Sequence, residues 1–284
     1  MKNFTISAFA DEIDPFLEKQ MDVLDAHDIK HIEIRGVNGK NVTQWELEDI
    51  RAIKKQLDRR GFHISAIGSP IGKIKITEDF APHFKLYEKT IEIAHILGTD
   101  IIRMFSFYPG DSVASFRDEV MERWYRFTKK AEDEGVKLYH ENEKDIFGDT
   151  PDRCLDLINT MASGNVRAIF DPANFIQCKV ETYPYAFEML KEHIAYVHVK
   201  DALESSGRVV PSGYGDGNIA KILEELKALN FHGFLSLEPH LGSFAGLKEL
   251  ELDVDLEDMP DAGESTFKIA ADALKKILKG LEDA

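Results

Sequence analysis

Four side chains able to hold a metal ion, Glu141, Asp171, His198 and Glu238, each stand near the end of a strand-like run: VKLYHENE, VRAIFD, AYVHVK and FLSLEPHL. They follow one another at intervals of 30, 27 and 40 residues, close to one strand and one helix each. A regular βα fold would therefore bring all four to the same height on one rim. Two glutamates, an aspartate and one imidazole offer mainly hard oxygen donors, a set that suits a single Mn²⁺, Mg²⁺ or Co²⁺ ion better than a thiolate-seeking one, with zinc kept among the candidates. Asp171 before Pro172 taken alone could simply start a turn, but turn chemistry does not account for four such tips in series. At the most crowded tip, strand alternation puts Glu141 and Glu143 on the inner face and turns His140 the other way.

The elements that must position these residues alternate without a break. TISAFA, HIEIRG, HISAIGS and DIIRMFSF precede the four strands above, and each of the eight runs leads into a helix-period segment. The helices are expected from Asp14-Pro15, over Thr43 to Arg60, Glu78 to Leu97, from Ser112 to Gly135, from Thr150-Pro151, over Tyr183 to Ile194, Ile219 to Leu229 and Ser265 to Leu281. Eight alternations predict a single (β/α)8 TIM barrel spanning residues 1–284, a fold that typically uses about 250 residues. No Gly-x-Gly-x-x-Gly follows the first strand, which removes the main sign of a dinucleotide fold. In a barrel, active-site residues lie at the carboxyl ends of strands, where the four candidates stand.

The chain of 284 residues has 35 basic and 51 acidic side chains, a net charge of −16. That balance argues against nucleic-acid or anionic-membrane partners, which require clustered Lys and Arg. Residues Glu249 to Glu264 carry eight acids and no base, within an acidic insertion at about 242–264 after the eighth strand. Leu250, Leu252, Val254 and Leu256 alternate with acids there, a pattern open to an extra strand, a lid or a homo-oligomer contact. No run reaches the roughly 18 apolar residues of a membrane helix. Two cysteines without motif spacing and no secretory signal point to a reducing, cytoplasmic setting.

GVKLYHENE at Gly135 to Glu143, FDPAN at Phe170 to Asn174, HVKDA at His198 to Ala202 and SLEPH at Ser236 to His240 together resemble the sugar-phosphate isomerase/epimerase superfamily of xylose-isomerase-like barrels, in order and over nearly the whole chain. The resemblance implies that Glu141, Asp171, His198 and Glu238 bind one divalent ion, and that Glu141 and Glu238 flank a sugar or sugar phosphate as catalytic acid and base. Such an ion stabilises the enediolate formed when a proton leaves carbon next to a carbonyl. Return from the opposite face gives epimerisation, and delivery to the neighbouring carbon gives aldose and ketose interconversion. An inosose-type dehydratase on the same metal site, or a sugar-binding barrel without catalysis, are the alternatives. Ketose 3-epimerases of the superfamily usually have His where Asn174 stands here, and often a carboxylate where this chain has Phe147.

Six further residues are expected to contact substrate: Glu143, Asn174, Lys200, Arg208, His240 and Glu33. Lys200 has a competing role as partner of Asp201. Arg208 and the loop Gly213-Tyr214-Gly215-Asp216-Gly217 lie where barrels often bind phosphate, although Asp216 would repel an anion and is placed to cap the helix from Asn218. Strand alternation also turns Lys137 and Arg167 inward with Glu141 and Asp171. Buried charges need partners, and Glu33 is expected either to help pair them or to hold the substrate.

Overall fold

The computed structural model describes residues 3–242 and 262–283. Its eight barrel strands are β1 (Phe4–Ala8), β2 (His31–Ile34), β3 (His63–Ile67), β4 (Ile101–Met104), β5 (Lys137–Glu141), β6 (Val166–Phe170), β7 (Ile194–Val199) and β8 (Gly233–Leu237). They pair in parallel in chain order and close into the barrel that the eight alternations predict. The closing seam runs between β1 and β8, from Phe4 opposite Gly233 to Ala8 opposite Leu237.

Local chemistry sets where the covering helices begin and end. The Asp79 carboxylate accepts from the Ala81 N–H and starts the helix Phe80–Leu97, which Gly98 stops in the left-handed conformation at φ 79°. Gly135 ends Arg117–Glu134 in the same way. Side chains that alternate away from the barrel axis, including Leu138, Phe170, Val197 and Leu237, are buried in the main core with the helices. Each such burial contributes roughly 1.5–3 kcal/mol.

The barrel interior is layered. Ala66, Ile101, Tyr139, Ile169 and Tyr196 form a separate apolar cluster, topped by Ser65, whose hydroxyl bonds both the Ser7 hydroxyl at 2.6 Å and the Tyr196 hydroxyl at 2.9 Å. The charged tips of the strands stand above this plug. The strand bottoms open to solvent on the other side, which corrects the expectation for Lys137 and Arg167. Lys137 keeps 44% side-chain exposure and pairs with Asp100 at 2.7 Å. Arg167 donates to the Glu192 carbonyl at 2.9 Å. Alternation assigns the face correctly, but four residues of strand rise about 13 Å, which takes both cations below the barrel layer and away from Glu33.

Some expected boundaries also move. The stretch from Thr43 to Arg60 divides into the short turn Val42–Gln44 and the helix Leu47–Arg59. Ile194, expected to end a helix, opens β7; the preceding helical segment is a π turn over Thr182–Ala186 continued by the α-helix Phe187–Leu190. A short helix, Pro172–Gln177, directly follows β6. The acidic stretch from Glu249 lies, as far as residue 261, outside the described residues. Among the described residues no helix is long and apolar enough to cross a membrane.

Candidate metal centre

Each of the four expected ligands is carried to the barrel mouth by its strand. Glu141 is the last residue of β5, His198 precedes the end of β7, and Asp171 and Glu238 directly follow β6 and β8. One donor atom from each lies within 4.8 Å of all the others, and all four residues are buried. His198 Nδ1 stands 3.0 Å from Glu141 Oε1, 3.4 Å from Glu238 Oε2 and 3.8 Å from Asp171 Oδ2. Its other nitrogen, Nε2, is 3.1 and 3.3 Å from the two oxygens of Glu33. An Nε2–H donated to Glu33 fixes the tautomer that leaves Nδ1 as a metal-binding lone pair, the arrangement that orients metal-ligating histidines.

The two glutamates are held alike. Glu141 turns Oε1 toward His198 while Arg103 Nη1 grips Oε2 at 3.2 Å. Glu238 turns Oε2 toward His198 while Arg35 Nη1 grips Oε1 at 3.1 Å. Arg35 and Arg103 also lie over the Phe9 ring, with guanidinium carbons 4.3 and 5.0 Å from its centroid. Arg35 reaches further, to Asp11 and Glu12. The Lys200 ammonium bridges Asp171 Oδ2 at 3.1 Å and Glu238 Oε2 at 3.2 Å.

These contacts tilt the acidities apart. Burial pushes the Glu141 carboxyl up, but His198 and Arg103 outweigh it and hold the group at about 2. Burial likewise opposes ionisation of Glu238, yet Lys200, His240, His198 and Arg35 carry it well below the ordinary range. At Asp171 burial prevails, aided by Glu238 and Glu141 against Lys200, and the carboxyl rises to about 7. Burial disfavours charge on His198 too, but Glu141, Glu33 and Glu238 raise it well above its usual value.

The donor set fits a divalent ion. Three carboxylates and an imidazole converge in a buried space, and crowded like charges there call for a cation. Asp171 Oδ2 is buried and accepts no well-aligned hydrogen bond among the described residues, its charge being faced by the Lys200 ammonium at 3.1 Å. A second convergence, Glu12, Glu238 and His240, has the Arg35 guanidinium among its carboxylates, 3.1 Å from both Glu12 and Glu238.

The remaining expected residues are placed as follows. Asn174 donates to Glu141 Oε1 at 3.2 Å and to the Asn142 carbonyl at 2.9 Å, while its own N–H caps onto Asp171. Asn142 in turn exchanges two hydrogen bonds with the Asp171 backbone. Glu143 pairs with Lys73 at 2.8 Å and touches none of the four ligands. His240, at φ 43°, donates its backbone N–H to Glu12 Oε2 at 2.7 Å, and its ring stands 3.5 Å from Glu238. That left-handed backbone is uncommon outside glycine and is held by its surroundings. His140 points away from the site, bonding Ser106 and packing edge-on against Trp124. Arg208 is exposed in the connection between the two short strands Asp201–Ala202 and Val209–Val210, outside the ligand cluster.

Two local expectations fail. Lys200 pairs with the ligand carboxylates rather than with Asp201, whose side chain instead accepts backbone N–H groups from the following loop. Asp216 accepts from the Glu204 N–H, and the helix Ile219–Ala228 begins at Asn218 without a side-chain cap. Arg103 and Glu12 were not anticipated as part of the site. Arg103 carried a usable signal, a lone charge inside the apolar run DIIRMF.

Residues 21–275 match the family of xylose isomerase-like TIM barrels, and the chain belongs to it. An uncharacterized protein of Methanocaldococcus jannaschii is 23% identical over 164 residues, a match that spans 52% of this chain and about half, 53%, of that protein's length. The D-allulose 3-epimerase of Methylomonas sp., solved in complex with D-allulose, superposes with a TM-score of 0.75 at 15% identity, over 98% of both chains. A probable 3-DHS dehydratase of Bacillus anthracis gives 0.72 at 17% identity over 97% of this chain and 99% of that one. A xylose isomerase-like barrel of Mycobacterium smegmatis in complex with magnesium gives 0.68 at 16% identity, over 96% and 97%. At these identities the likeness shows the fold.

Proposed function

We propose that the chain is a divalent-metal-dependent isomerase or epimerase acting on carbon next to a sugar carbonyl. The observation that carries this reading is the paired arrangement of Glu141 and Glu238, each with one oxygen turned to His198 Nδ1 and the other anchored by a buried arginine. Glu141, Asp171, His198 and Glu238 would hold the ion, which supplies Lewis-acid stabilisation of negative charge on the substrate carbonyl oxygen. Glu141 and Glu238, held ionised by their cationic neighbours, are suited to accept a proton from carbon at Oε1 or Oε2. Arg103 and Arg35 fix their orientation, and Asn174 holds Glu141 Oε1 in place. Glu143 and His240, each two residues beyond one of these glutamates, would offer partners to hydroxyl groups of a polyol. The apolar plug under the tips keeps water from entering from below.

The test is proton exchange. A panel of ketoses incubated in D₂O with the metal-loaded protein is expected to take up deuterium at carbon, and Glu141→Gln and Glu238→Gln are each expected to slow the uptake by about 10²–10⁴-fold. Undiminished uptake in both variants would remove the basis of the proposal. A lyase reading is favoured by one feature, the Lys200 ammonium between Asp171 and Glu238, which can donate a proton to a departing hydroxyl. Loss of water from the substrate without deuterium exchange into recovered substrate would select it.

A further inference from the structure

One uncharged side chain stands among the groups that hold the two glutamates. Phe9 continues the extended chain beyond β1 and shares the inward face with Ser7, whose hydroxyl belongs to the polar layer under the mouth. The ring is completely buried. Its backbone N–H donates to the Leu237 carbonyl at 3.0 Å, which ties Phe9 to the residue before Glu238. The Arg35 and Arg103 guanidinium carbons lie 4.3 and 5.0 Å from the ring centroid, and the His198 ring stands 5.2 Å from it at an interplanar angle of 76°. The barrel wall is cut to fit. A Cβ on Gly68 would come within 2.8 Å of the Phe9 ring, and the Gly68 carbonyl accepts from Arg103 Nη2 at 3.3 Å.

Arg35 and Arg103 are like charges crowded into one buried region. Their Nη1 atoms stand 3.1 and 3.9 Å from the same oxygen, Glu238 Oε1, and each side chain keeps only 3% exposure. The negative face of an aromatic ring attracts a guanidinium group most strongly where water is excluded. An aliphatic side chain of similar bulk would fill the space without that attraction. The oxygens that the two arginines grip, Glu141 Oε2 and Glu238 Oε1, are the ones turned away from His198. The ring therefore acts on both glutamates through their arginines.

We propose that Phe9 is a positioning residue, whose ring holds Arg35 and Arg103 by cation–π attraction and through them sets the spacing of Glu141 and Glu238. The proposal rests on the isomerase or epimerase reading for its kinetic test but not for its stability test. Phenylalanine carrying one, two or three ring fluorines is placed at position 9, beside the variant Phe9→Leu. Fluorine drains the negative face of the ring while leaving its shape and apolar character nearly intact. Deuterium uptake by a ketose and urea unfolding are then measured for each metal-loaded protein. The kcat for uptake is expected to fall step by step along the fluorine series, to about 10- to 100-fold below wild type in the trifluoro protein and in Phe9→Leu. KM is expected to change less, because the ring is buried. The urea midpoint is expected to fall in the same order. A ring that only packs would leave both readouts flat across the fluorine series, and that result would overturn the proposal whether or not Phe9→Leu folds. A falling midpoint with constant kcat would overturn the kinetic role, and a KM change larger than the kcat change would replace positioning by substrate contact. If no ketose exchanges at all, the sugar reading fails, while the urea series still decides whether the ring holds the arginines.

Discussion

Replacing Glu33 tests whether the site is organised for a metal rather than merely for charge balance. Glu33 is completely buried and presents both oxygens to His198 Nε2, at 3.1 and 3.3 Å. Glu33→Leu leaves a buried N–H without an acceptor and lowers the basicity of Nδ1. Losing such an outer partner typically costs about 10- to 100-fold in metal affinity, equivalent to about 1.4–2.7 kcal/mol. Glu33→Gln retains an acceptor of the same reach and loses only the charge, so its deficit is expected to stay below about 10-fold. Affinity for Mn²⁺ or Co²⁺ is measured by competition with a chromogenic chelator, and circular dichroism confirms the fold. The graded order, wild type above Gln above Leu, is the signature of a second-nitrogen hydrogen bond. A folded Glu33→Leu protein with unaltered affinity would refute the assignment of Nδ1 as the ligand atom.

Other consequences are more direct. Glu141→Gln or Glu238→Gln is expected to slow deuterium uptake by about 10²–10⁴-fold, the usual worth of a positioned acid or base, as read by NMR in D₂O. Asp171, raised to about 7 in the metal-free protein, binds its proton more tightly folded than unfolded. Its contribution to stability is therefore full below the ordinary carboxylate range near 3.8 and is lost as pH rises through 7. Tm of metal-free protein should fall over that window, while added metal, which requires the ionised carboxylate, should restore Tm increasingly as pH rises. Arg103→Met strips the buried partner from Glu141 and is expected to cost about 3–5 kcal/mol in urea unfolding. Lys137→Met removes only an exposed pair with Asp100 and should cost no more than about 1 kcal/mol. Equal costs would contradict the layered placement of the two cations.

The barrel was legible because eight strand and helix alternations leave few other topologies, and the ligands because repeat spacing ties Glu141, Asp171, His198 and Glu238 to one rim. What escaped depends on height and on side-chain reach. Alternation places Lys137 on the inner face without saying that it emerges below the barrel. Arg35 follows β2 and Arg103 lies on β4, yet their long side chains choose partners 203 and 38 residues away. Lys200 and Asp201 are adjacent in sequence and separate in space, because successive residues of an extended chain point to opposite sides. Asp201 therefore meets the glycine loop while Lys200 meets the ligands. The short helix after β6 was hidden by Asp171-Pro172, which reads equally as a turn or as the cap and first turn of a helix.

The seam between β1 and β8 carries a temporal consequence. The contacts that complete the mouth join the two ends of the chain: His198 to Glu33 across 165 residues, Arg35 to Glu238 across 203 and the His240 N–H to Glu12 across 228. During synthesis, Glu12, Glu33 and Arg35 emerge early, whereas the His198, Glu238 and His240 partners that complete the mouth lie on strands made last. Such long loops close slowly, so metal affinity should appear only after helical structure and should report the moment at which the two ends of the chain meet.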